Sequence, residues 1–232
     1  MYKSANLPPS WSFKKSDIPE EKIAIIPNGI DLSEYGDLPP KGSFKRKFDI
    51  PRDNEVILYL GRIHKIKGID FLVKAYASLI RNMKCNDAVL VIAGPDDGYL
   101  NEVRSLASSL GVSASVLFTG FISSEDKLGA LVDADLFVTP SFYGFPITFL
   151  EACATGTPII TTTLGDTLEW IDGNVGYMTL PTHPDMARAI HRIISDDELR
   201  EKFSRNCRDA MKSKFSLGKV VDKLEQIYKE VA

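Results

Sequence analysis

Residues 135–158 read DLFVTPSFYGFPITFLEACATGTP and predict a strand, a tight loop and a helix in succession. The helical pattern runs from Pro146 to Gly156. Proline suits a first helical position because its φ is preset and its missing N–H would lack an intrahelical partner there, and glycine suits a left-handed C-terminal cap. The free N–H groups at the start of such a helix, with Gly144 just before them, predict a seat for a phosphate group.

This predicted helix is apolar or small nearly all round, so we expect it to be buried. Glu151 is its one carboxylate and needs a polar partner. A ligand hydroxyl would satisfy it, and so would a neighbouring N–H group or an arginine in an ordinary buried unit. The stretch alone favours neither alternative.

The composition is that of an ordinary globular protein. Of the 232 residues, 44% are hydrophobic and 25% are charged, which suffices for a sizeable core in one large domain, or in one domain with extensions. The 28 basic and 31 acidic residues leave a net charge of -3. We therefore expect no nucleic-acid partner, although this balance leaves room for a single phosphate site.

The cysteines and the N-terminal residues bear on the cellular compartment. Cys85, Cys153 and Cys207 are odd in number and widely spaced, which favours reduced thiols with a packing role over disulfides or a metal site. Residues 1–17 lack the apolar core of a signal peptide, and no apolar run is long enough for a transmembrane segment. We expect a cytoplasmic protein.

From residue 55 to about residue 180, short apolar runs alternate with helical patterns, which is typical of βαβ units. We therefore predict an α/β fold with a parallel sheet flanked by helices. Besides the strand in the opening stretch, the predicted strands are residues 55–60, 88–93, 115–118, 158–162 and 175–180.

Three segments make up the expected domain organisation. Residues 1–21 hold three prolines and no period, so we interpret them as a linker or lead-in. Residues 22–215 form the domain, and it begins with a short β-type run, KIAIIP, at 22–27. Residues 216–232 form a last amphipathic helix whose apolar stripe needs a surface to cover.

Spacing also predicts where several helices begin. Ser123 or Ser124 suits the N-cap of a helix that precedes the opening stretch. Thr182 with Asp185, and Ser195 with Glu198, are spaced like capping boxes of two later helices.

Ligands of open parallel sheets bind outside the carboxyl ends of the strands, where the short glycine-bearing loops of this chain lie. The loop GRIHKIKG at 61–68 supplies Arg62, a planar fork for phosphate oxygens, and Lys67, a mobile point charge, while Gly61 allows close backbone approach. Two cations facing the start of the helix after Gly144 describe a diphosphate clamp that stabilises charge on a leaving group without a metal. A solvated basic loop is the alternative for this loop alone.

Other catalytic patterns are missing. His64, His183 and His191 lack partners that would orient them, so none is assigned a catalytic role. The sequence contains no G-x-G-x-x-G, G-x-x-x-x-G-K-[ST], H-E-x-x-H or G-x-S-x-G, which argues against dehydrogenases, P-loop proteins, zincins and serine hydrolases.

Five motifs, in order and at similar spacing, make the chain resemble the C-terminal, donor-binding domain of retaining GT-B glycosyltransferases of glycosyltransferase family four, and more distantly glycogen and sucrose synthases. The motifs are IPNGID (26–31), YLGRIHKIKGID (59–70), VIAGPDDG (91–98), LFTGFIS (117–123) and PSFYGFPITFLEACATGTPII (140–160). The resemblance extends from about residue 22 to the C-terminus. It implies a Rossmann-like domain, the C-terminal half of a GT-B fold, whose last helix packs on an N-terminal domain outside this sequence.

The resemblance also implies roles for individual residues. Arg62 and Lys67 would bind the diphosphate of a nucleotide diphosphate sugar and steady it as a leaving group, helped by backbone groups at Gly144, Phe145 and the following turn at Pro146. Glu151 would hold the ribose hydroxyls. Backbone near Gly94, Phe121 and Ile122 would form the nucleobase pocket. No cofactor and no metal are implied, and the acceptor is unknown.

The chain departs from the family pattern at Tyr143, where the first glutamate of the E-x7-E motif, which contacts the transferred sugar, would stand. A phenol can hydrogen-bond a sugar hydroxyl but carries no charge at neutral pH. Pro146 also replaces a common glycine.

Three hypotheses follow from the resemblance. The first is the donor half of a retaining hexosyltransferase, which as a fragment would bind nucleotide and barely turn over. The second is a non-catalytic nucleotide-sugar-binding or partner subunit, and the third is a GT-B sugar-nucleotide epimerase, for which no acid-base residues are located.

Overall fold

The structure is a computed structural model that describes residue 19 and residues 22–140, 146–163 and 170–231. Its strands are β1 Glu55–Leu60, β2 Ala88–Ala93, β3 Val116–Gly120, β4 Leu136–Thr139, β5 Ile159–Thr162 and β6 Gly176–Thr179. All adjacent pairs are parallel, and the sheet order is β3-β2-β1-β4-β5-β6. The predicted α/β fold is confirmed.

Eight α-helices accompany these strands in the described part of the chain. They are α1 Ser43–Lys47, α2 Ile69–Met83, α3 Leu100–Ser109, α4 Ser124–Asp133, α5 Ile147–Thr155, α6 His183–Ile194, α7 Asp197–Ala210 and α8 Leu217–Val231. A π-helical turn, Met211–Phe215, joins α7 to α8.

Both faces of the sheet are buried, which explains why the strands read as continuous apolar runs. Within β1, Ile57 and Tyr59 face a cluster with α2 and α6, whereas Val56 and Leu58 face a cluster with α4, α5 and α7. Each large apolar side chain buried in this way contributes about 1.5–3 kcal/mol.

The cysteines lie where a packing role places them. Cys153 and Cys207 are free, fully buried members of the cluster that contains α5 and α7, and Cys85 is partly buried against the opposite cluster. Burial raises the pKa of Cys153, which keeps its thiol protonated at neutral pH.

Two of the three polar N-caps predicted from the sequence are present. Ser123 caps α4 by accepting from the Asp126 N–H, and Thr182 caps α6 by accepting from the Asp185 N–H. The predicted box at Ser195 is wrong, because Asp196 caps α7 through the Leu199 N–H. A carboxylate one residue later competes successfully for the same end of the helix.

The β-type run at 22–27 does not form a strand, so that prediction is wrong. Pairing begins only at Ile30, whose N–H donates to Phe215 O at 2.8 Å and whose carbonyl accepts from Leu217 N at 2.9 Å. Ile25 is 48% exposed. Apolar content alone forms no strand without a neighbouring edge, and here the segment runs along α8, where the Lys223 ammonium donates to Ile25 O.

The apolar stripe of α8 is only partly covered by the described residues. Val220, Leu224 and Ile227 are partly buried, whereas Val221 and Tyr228 are exposed. No described helix, α8 included, combines the length and apolar character needed to cross a bilayer.

Candidate functional site

The chain runs outward from β1 through β2 to β3 and then returns to β4 on the other side of β1. The loops that follow β1 and β4 therefore leave adjacent strand ends in opposite directions. Such a switch point opens a crevice outside the carboxyl ends of the strands. The loop at 61–68 follows β1, and α5 follows the neighbouring strand β4, so both elements belong to the two strands that meet at the switch point.

Three glycines, Gly61, Gly94 and Gly120, bring the ends of β1, β2 and β3 together. Gly94 has φ +144, and a Cβ atom added to it would overlap the backbone carbonyl of Gly61. The Gly61 N–H donates to Ala93 O at 3.0 Å, and the Gly94 N–H donates to Gly120 O at 2.9 Å. The structure therefore places the predicted Gly61 and Gly94 against each other at one edge of the crevice.

Hydrogen bonds to the backbone of Arg62 and of Ile63 fix the start of this loop. The Tyr59 hydroxyl donates to Arg62 O at 3.0 Å, and the Ile63 N–H donates to Pro95 O at 2.9 Å. Burial raises the pKa of Tyr59, so this hydroxyl keeps its proton.

The guanidinium of Arg62 is paired with Asp97, a residue that the sequence did not indicate. Arg62 Nη1 lies 2.6 Å from Asp97 Oδ2, and the two side chains are 59% and 40% exposed. The Asp97 N–H also donates to Ile63 O at 3.1 Å. One of the five guanidinium N–H donors is thus engaged, and the exposed remainder is available to phosphate oxygens.

Lys67 ends a short 3₁₀ turn, Lys65–Lys67, that leads into α2. His64 caps this turn, because its Nδ1 accepts from the Ile66 N–H at 3.2 Å. Gly68 follows in the left-handed region at φ +67. Unlike Arg62, Lys67 has no ion-pair partner within the described residues. His64 therefore stabilises the turn, and the ammonium group of Lys67 is unpaired within the described residues.

α5 begins one residue later than the sequence predicted. Pro146 is its N-cap, with ψ 122, and its carbonyl accepts from the Phe149 N–H at 3.1 Å. The first N–H groups of α5 have no intrahelical acceptor and face the end of the sheet from which the chain enters. Tyr143, Gly144 and Phe145 lie outside the described residues.

The C-terminus of α5 confirms the predicted glycine cap. Gly156 has φ 86 and ψ 23 in the left-handed region. Arg208 of α7 donates through Nη2 to Thr155 O at 3.0 Å, which supplies a partner for one of the last carbonyl groups. This end of the helix, away from the crevice, is therefore held by two features.

Threonines of β5 hold the exit of β4. The Thr161 hydroxyl donates to Thr139 O at 2.8 Å, and the Thr162 hydroxyl donates to Pro140 O at 2.5 Å. Thr139 itself is buried, and its hydroxyl has no hydrogen-bond partner among the described residues. The start of the loop that leads to Pro146 is thus anchored to the neighbouring strand.

Glu151 finds its polar partner in a lysine. Lys127 Nζ of α4 lies 2.6 Å from Glu151 Oε1, and the glutamate side chain is only 13% exposed. Tyr35, which is partly buried beside α5, has its pKa raised by burial and by the negative charge of Glu151. A protein side chain therefore binds one oxygen of the carboxylate. The sequence had left open a partner within the protein, but it did not identify Lys127.

Phe121 and Ile122 differ in exposure although they are adjacent. Phe121 is 80% exposed just beyond β3, whereas Ile122 packs against the buried cluster that contains α4. Gly120 before them has φ +70. The two residues therefore form the turn between β3 and α4 at the carboxyl edge of the sheet.

Within the described residues, no group of three or more His, Cys, Asp or Glu side chains could hold a metal ion. The site consists of a cationic loop, a helix N-terminus and one lysine-paired carboxylate around a switch point. Together they define a Rossmann-like α/β domain with a crevice suited to an anionic ligand.

A family model described as "Glycosyl transferases group 1" matches residues 40–210, so the chain belongs to this family. The uncharacterized glycosyltransferase MJ1607 of Methanocaldococcus jannaschii is 33% identical over 217 residues, which are 91% of this chain and 55% of that protein. The UDP-Gal:alpha-D-GlcNAc-diphosphoundecaprenol alpha-1,3-galactosyltransferase of Escherichia coli is 28% identical over 212 residues, which are 89% and 54% of the two chains. The chain spans about half the length of these relatives.

Solved structures confirm the Rossmann-like fold of GT-B glycosyltransferases. HepE of Anabaena, in complex with UDP, superposes with a TM-score of 0.82 at 20% identity over 94% of this chain and 60% of that one. The C-terminal domain of the group 1 family protein LpcC from Francisella tularensis superposes with a TM-score of 0.70 at 25% identity, covering 82% of this chain and 100% of that domain.

Proposed function

We propose that this chain is the C-terminal, donor-binding half of a retaining GT-B glycosyltransferase of family four, and that it binds a nucleotide diphosphate sugar. One observation carries the proposal. Arg62 and Lys67 lie in the loop that follows β1, and α5 follows β4, the strand that pairs with β1 at the switch point. Membership of the glycosyltransferase group 1 family supports a transfer reaction at this crevice.

The proposed roles follow from the charges around the crevice. When the glycosyl group is transferred, the bond between its anomeric carbon and the β-phosphate oxygen breaks and a bond forms between that carbon and a nucleophilic atom of the acceptor, which gives up its proton. The nucleoside diphosphate leaves with the electron pair, so negative charge accumulates on it. Arg62 and Lys67, with the N–H groups at the start of α5, would stabilise that charge. The residues present therefore supply positive charge for the leaving group themselves, and we propose a reaction that needs no metal.

The remaining site residues would bind the nucleoside and the sugar. We propose that Glu151 accepts hydrogen bonds from the ribose hydroxyls and that backbone near Gly94, Phe121 and Ile122 surrounds the nucleobase. Tyr143, Gly144, Phe145 and Pro146 would contact the sugar and the diphosphate. These roles rest on the resemblance of the motifs.

The relatives support the donor class and the position of the chain. The name of the E. coli relative gives UDP-Gal as the donor, and the chain aligns with about half of that protein. The match to the entire C-terminal domain of LpcC supports assignment to the C-terminal half. Acceptor-binding residues would then belong to an N-terminal domain, so this chain alone would bind a donor and transfer it very slowly.

Calorimetric titration with UDP, GDP and ADP tests the proposal. We expect one of the three to bind at submillimolar concentration, and Arg62→Ala with Lys67→Ala to abolish that binding. No heat of binding from any of the three at millimolar concentration would overturn the proposal.

The tyrosine at position 143 favours a second candidate, a non-catalytic nucleotide-sugar-binding or partner subunit. The family glutamate at this position contacts the transferred sugar, and a tyrosine supplies no charge there. In a protein that also contains the N-terminal domain, Tyr143→Glu should raise transfer activity only if this candidate is correct. Unchanged or reduced activity would favour the transferase.

A further inference from the structure

Lys127 makes a short, partly buried ion pair that no family motif of the sequence includes. Its Nζ atom lies 2.6 Å from Glu151 Oε1, and the two side chains are 38% and 13% exposed. Solvent and salt screen a pair of this kind less than they screen a pair at the surface. The contact therefore constrains the glutamate more firmly than a fully exposed lysine would.

The position of Lys127 connects two segments of the proposed donor site. Its N–H donates to Ser123 O at 2.8 Å, and Ser123 directly follows Phe121 and Ile122. Its side chain reaches Glu151 on α5, the helix that follows the switch point. The lysine thus links the turn after β3 to the carboxylate that we propose to bind the ribose.

Lys127 is the only cation within ion-pairing distance of Glu151 in the part of the chain that the structure describes. Tyr35 also interacts with the glutamate, because its pKa is raised by burial and then by the Glu151 charge, so its hydroxyl stays neutral. The charge of the glutamate is thus balanced by Lys127.

We propose that Lys127 is a positioning residue that fixes the carboxylate of Glu151 for the ribose hydroxyls of the donor. The lysine occupies Oε1, which leaves Oε2 to accept from a ligand hydroxyl. Without the lysine, a mostly shielded carboxylate loses its counterion and its fixed rotamer. This inference rests on the proposed function, because it takes Glu151 to be the residue that contacts the ribose.

The test compares a ribonucleotide with an analogue that lacks the hydroxyls. Whichever of UDP, GDP and ADP binds most tightly is titrated by calorimetry beside its 2′,3′-dideoxy analogue. The wild-type protein should prefer the ribonucleotide. Lys127→Met should weaken ribonucleotide binding about tenfold, the effect of roughly one charge-assisted hydrogen bond, and should leave the dideoxy analogue almost unaffected. Lys127→Arg should retain most of the preference.

Lys47 of α1 provides a matched control, because its ion-pair partner lies on the same helix as Lys127. Its Nζ atom lies 2.6 Å from Asp126 Oδ1, and Asp126 precedes Lys127 in α4, but this pair joins α4 to α1 instead of α5. Lys47→Met should leave both affinities and their ratio unchanged. Thermal unfolding checks that each variant is folded, and Lys127→Gln, which should also lower the ratio, replaces Lys127→Met if that variant does not fold.

The outcomes separate this inference from the proposed function. A wild-type protein that binds none of the three nucleotides overturns both. A wild-type protein that prefers the ribonucleotide, with folded Lys127→Met or Lys127→Gln retaining the full preference, overturns the inference alone. An equal loss of affinity for both ligands would also overturn it, because that result indicates general damage to the site.

Discussion

The backbone carbonyl of Gly61 occupies the space that a Cβ atom on Gly94 would need. These two glycines follow β1 and β2, and the overlapping atom belongs to backbone, which cannot turn away as a flexible side chain can. Gly94 also has φ +144, a conformation that residues with a side chain rarely adopt. The closeness of the two loops therefore depends on glycine at position 94.

We predict that Gly94→Ala lowers the free energy of unfolding by about 2 kcal/mol or more, through backbone strain and separation of the loops. Gly98→Ala is the matched control, because Gly98 lies in the same loop with φ +81 but has open space around its Cβ position. That variant should lose about 1 kcal/mol, the cost of the left-handed conformation alone. Chemical denaturation measures both values, and an equal loss in the two variants would contradict the overlap argument.

Removal of the site cations should weaken nucleotide diphosphate binding. We expect Arg62→Ala and Lys67→Ala each to raise the dissociation constant about 10- to 100-fold, because each removes charge-assisted hydrogen bonds worth roughly 1.5–3 kcal/mol. Calorimetry at two salt concentrations measures the effect, which should shrink as salt rises.

Lys65→Ala is the control for these variants, because Lys65 is an exposed lysine on the same 3₁₀ turn as Lys67. It should leave the dissociation constant within about twofold, as expected for a screened surface charge. If Lys65→Ala weakened binding as strongly as Lys67→Ala, the loop would act through its total charge, and the specific clamp would be wrong.

The fold could be predicted from the sequence because strand and helix periods alternate and glycines mark the strand ends. The strands at 55–60 and 88–93 coincide with β1 and β2, and Gly156 caps α5 as expected. These features depend on local conformation and on apolar pattern. Once the strands are parallel and the order has a switch point, the loops at their carboxyl ends lie at one end of the sheet, beside the crevice at the switch point.

The pairs inside the site could not be predicted in the same way. Lys127 and Glu151 are 24 residues apart, and Arg62 and Asp97 are 35 apart, so each pair depends on how helices and loops pack. The strand predicted at 22–27 is absent for a related reason, because a strand needs a neighbouring edge as well as an apolar pattern. For the Arg62–Asp97 pair the sequence contained one signal, which is that Asp97 is an acidic residue in the glycine-bearing loop after β2, next to the cationic loop after β1.

Arg208 should stabilise α5 from outside the helix. Arg208→Met removes the donor to Thr155 O, and we expect a loss of about 1–2 kcal/mol in the free energy of unfolding. Arg205→Met on the same helix is the control, because among the described residues Arg205 makes only an exposed pair with Glu201 at 3.7 Å. This variant should change stability by less than about 0.5 kcal/mol. Equal stabilities of the two variants would mean that Gly156 alone suffices as the cap.

Asp96 should make folding of the β2–α3 loop sensitive to acid. Its Oδ1 accepts from the N–H groups of Leu100, Tyr99 and Gly98, and these bonds hold its pKa below the ordinary value of 3.8. A carboxyl group with a lowered pKa in the folded state contributes stability that is fully present above its unfolded pKa and is lost as the pH falls through its folded pKa. The contribution of Asp96 to stability should therefore be constant near neutral pH and decline below about pH 4. Asp96→Asn keeps a side-chain oxygen that can cap the loop but has no titrating proton, so denaturation curves from pH 7 to pH 3 should decline less steeply for this variant than for the wild-type protein. If the two declined in parallel, the acid sensitivity would have to arise at other carboxylates.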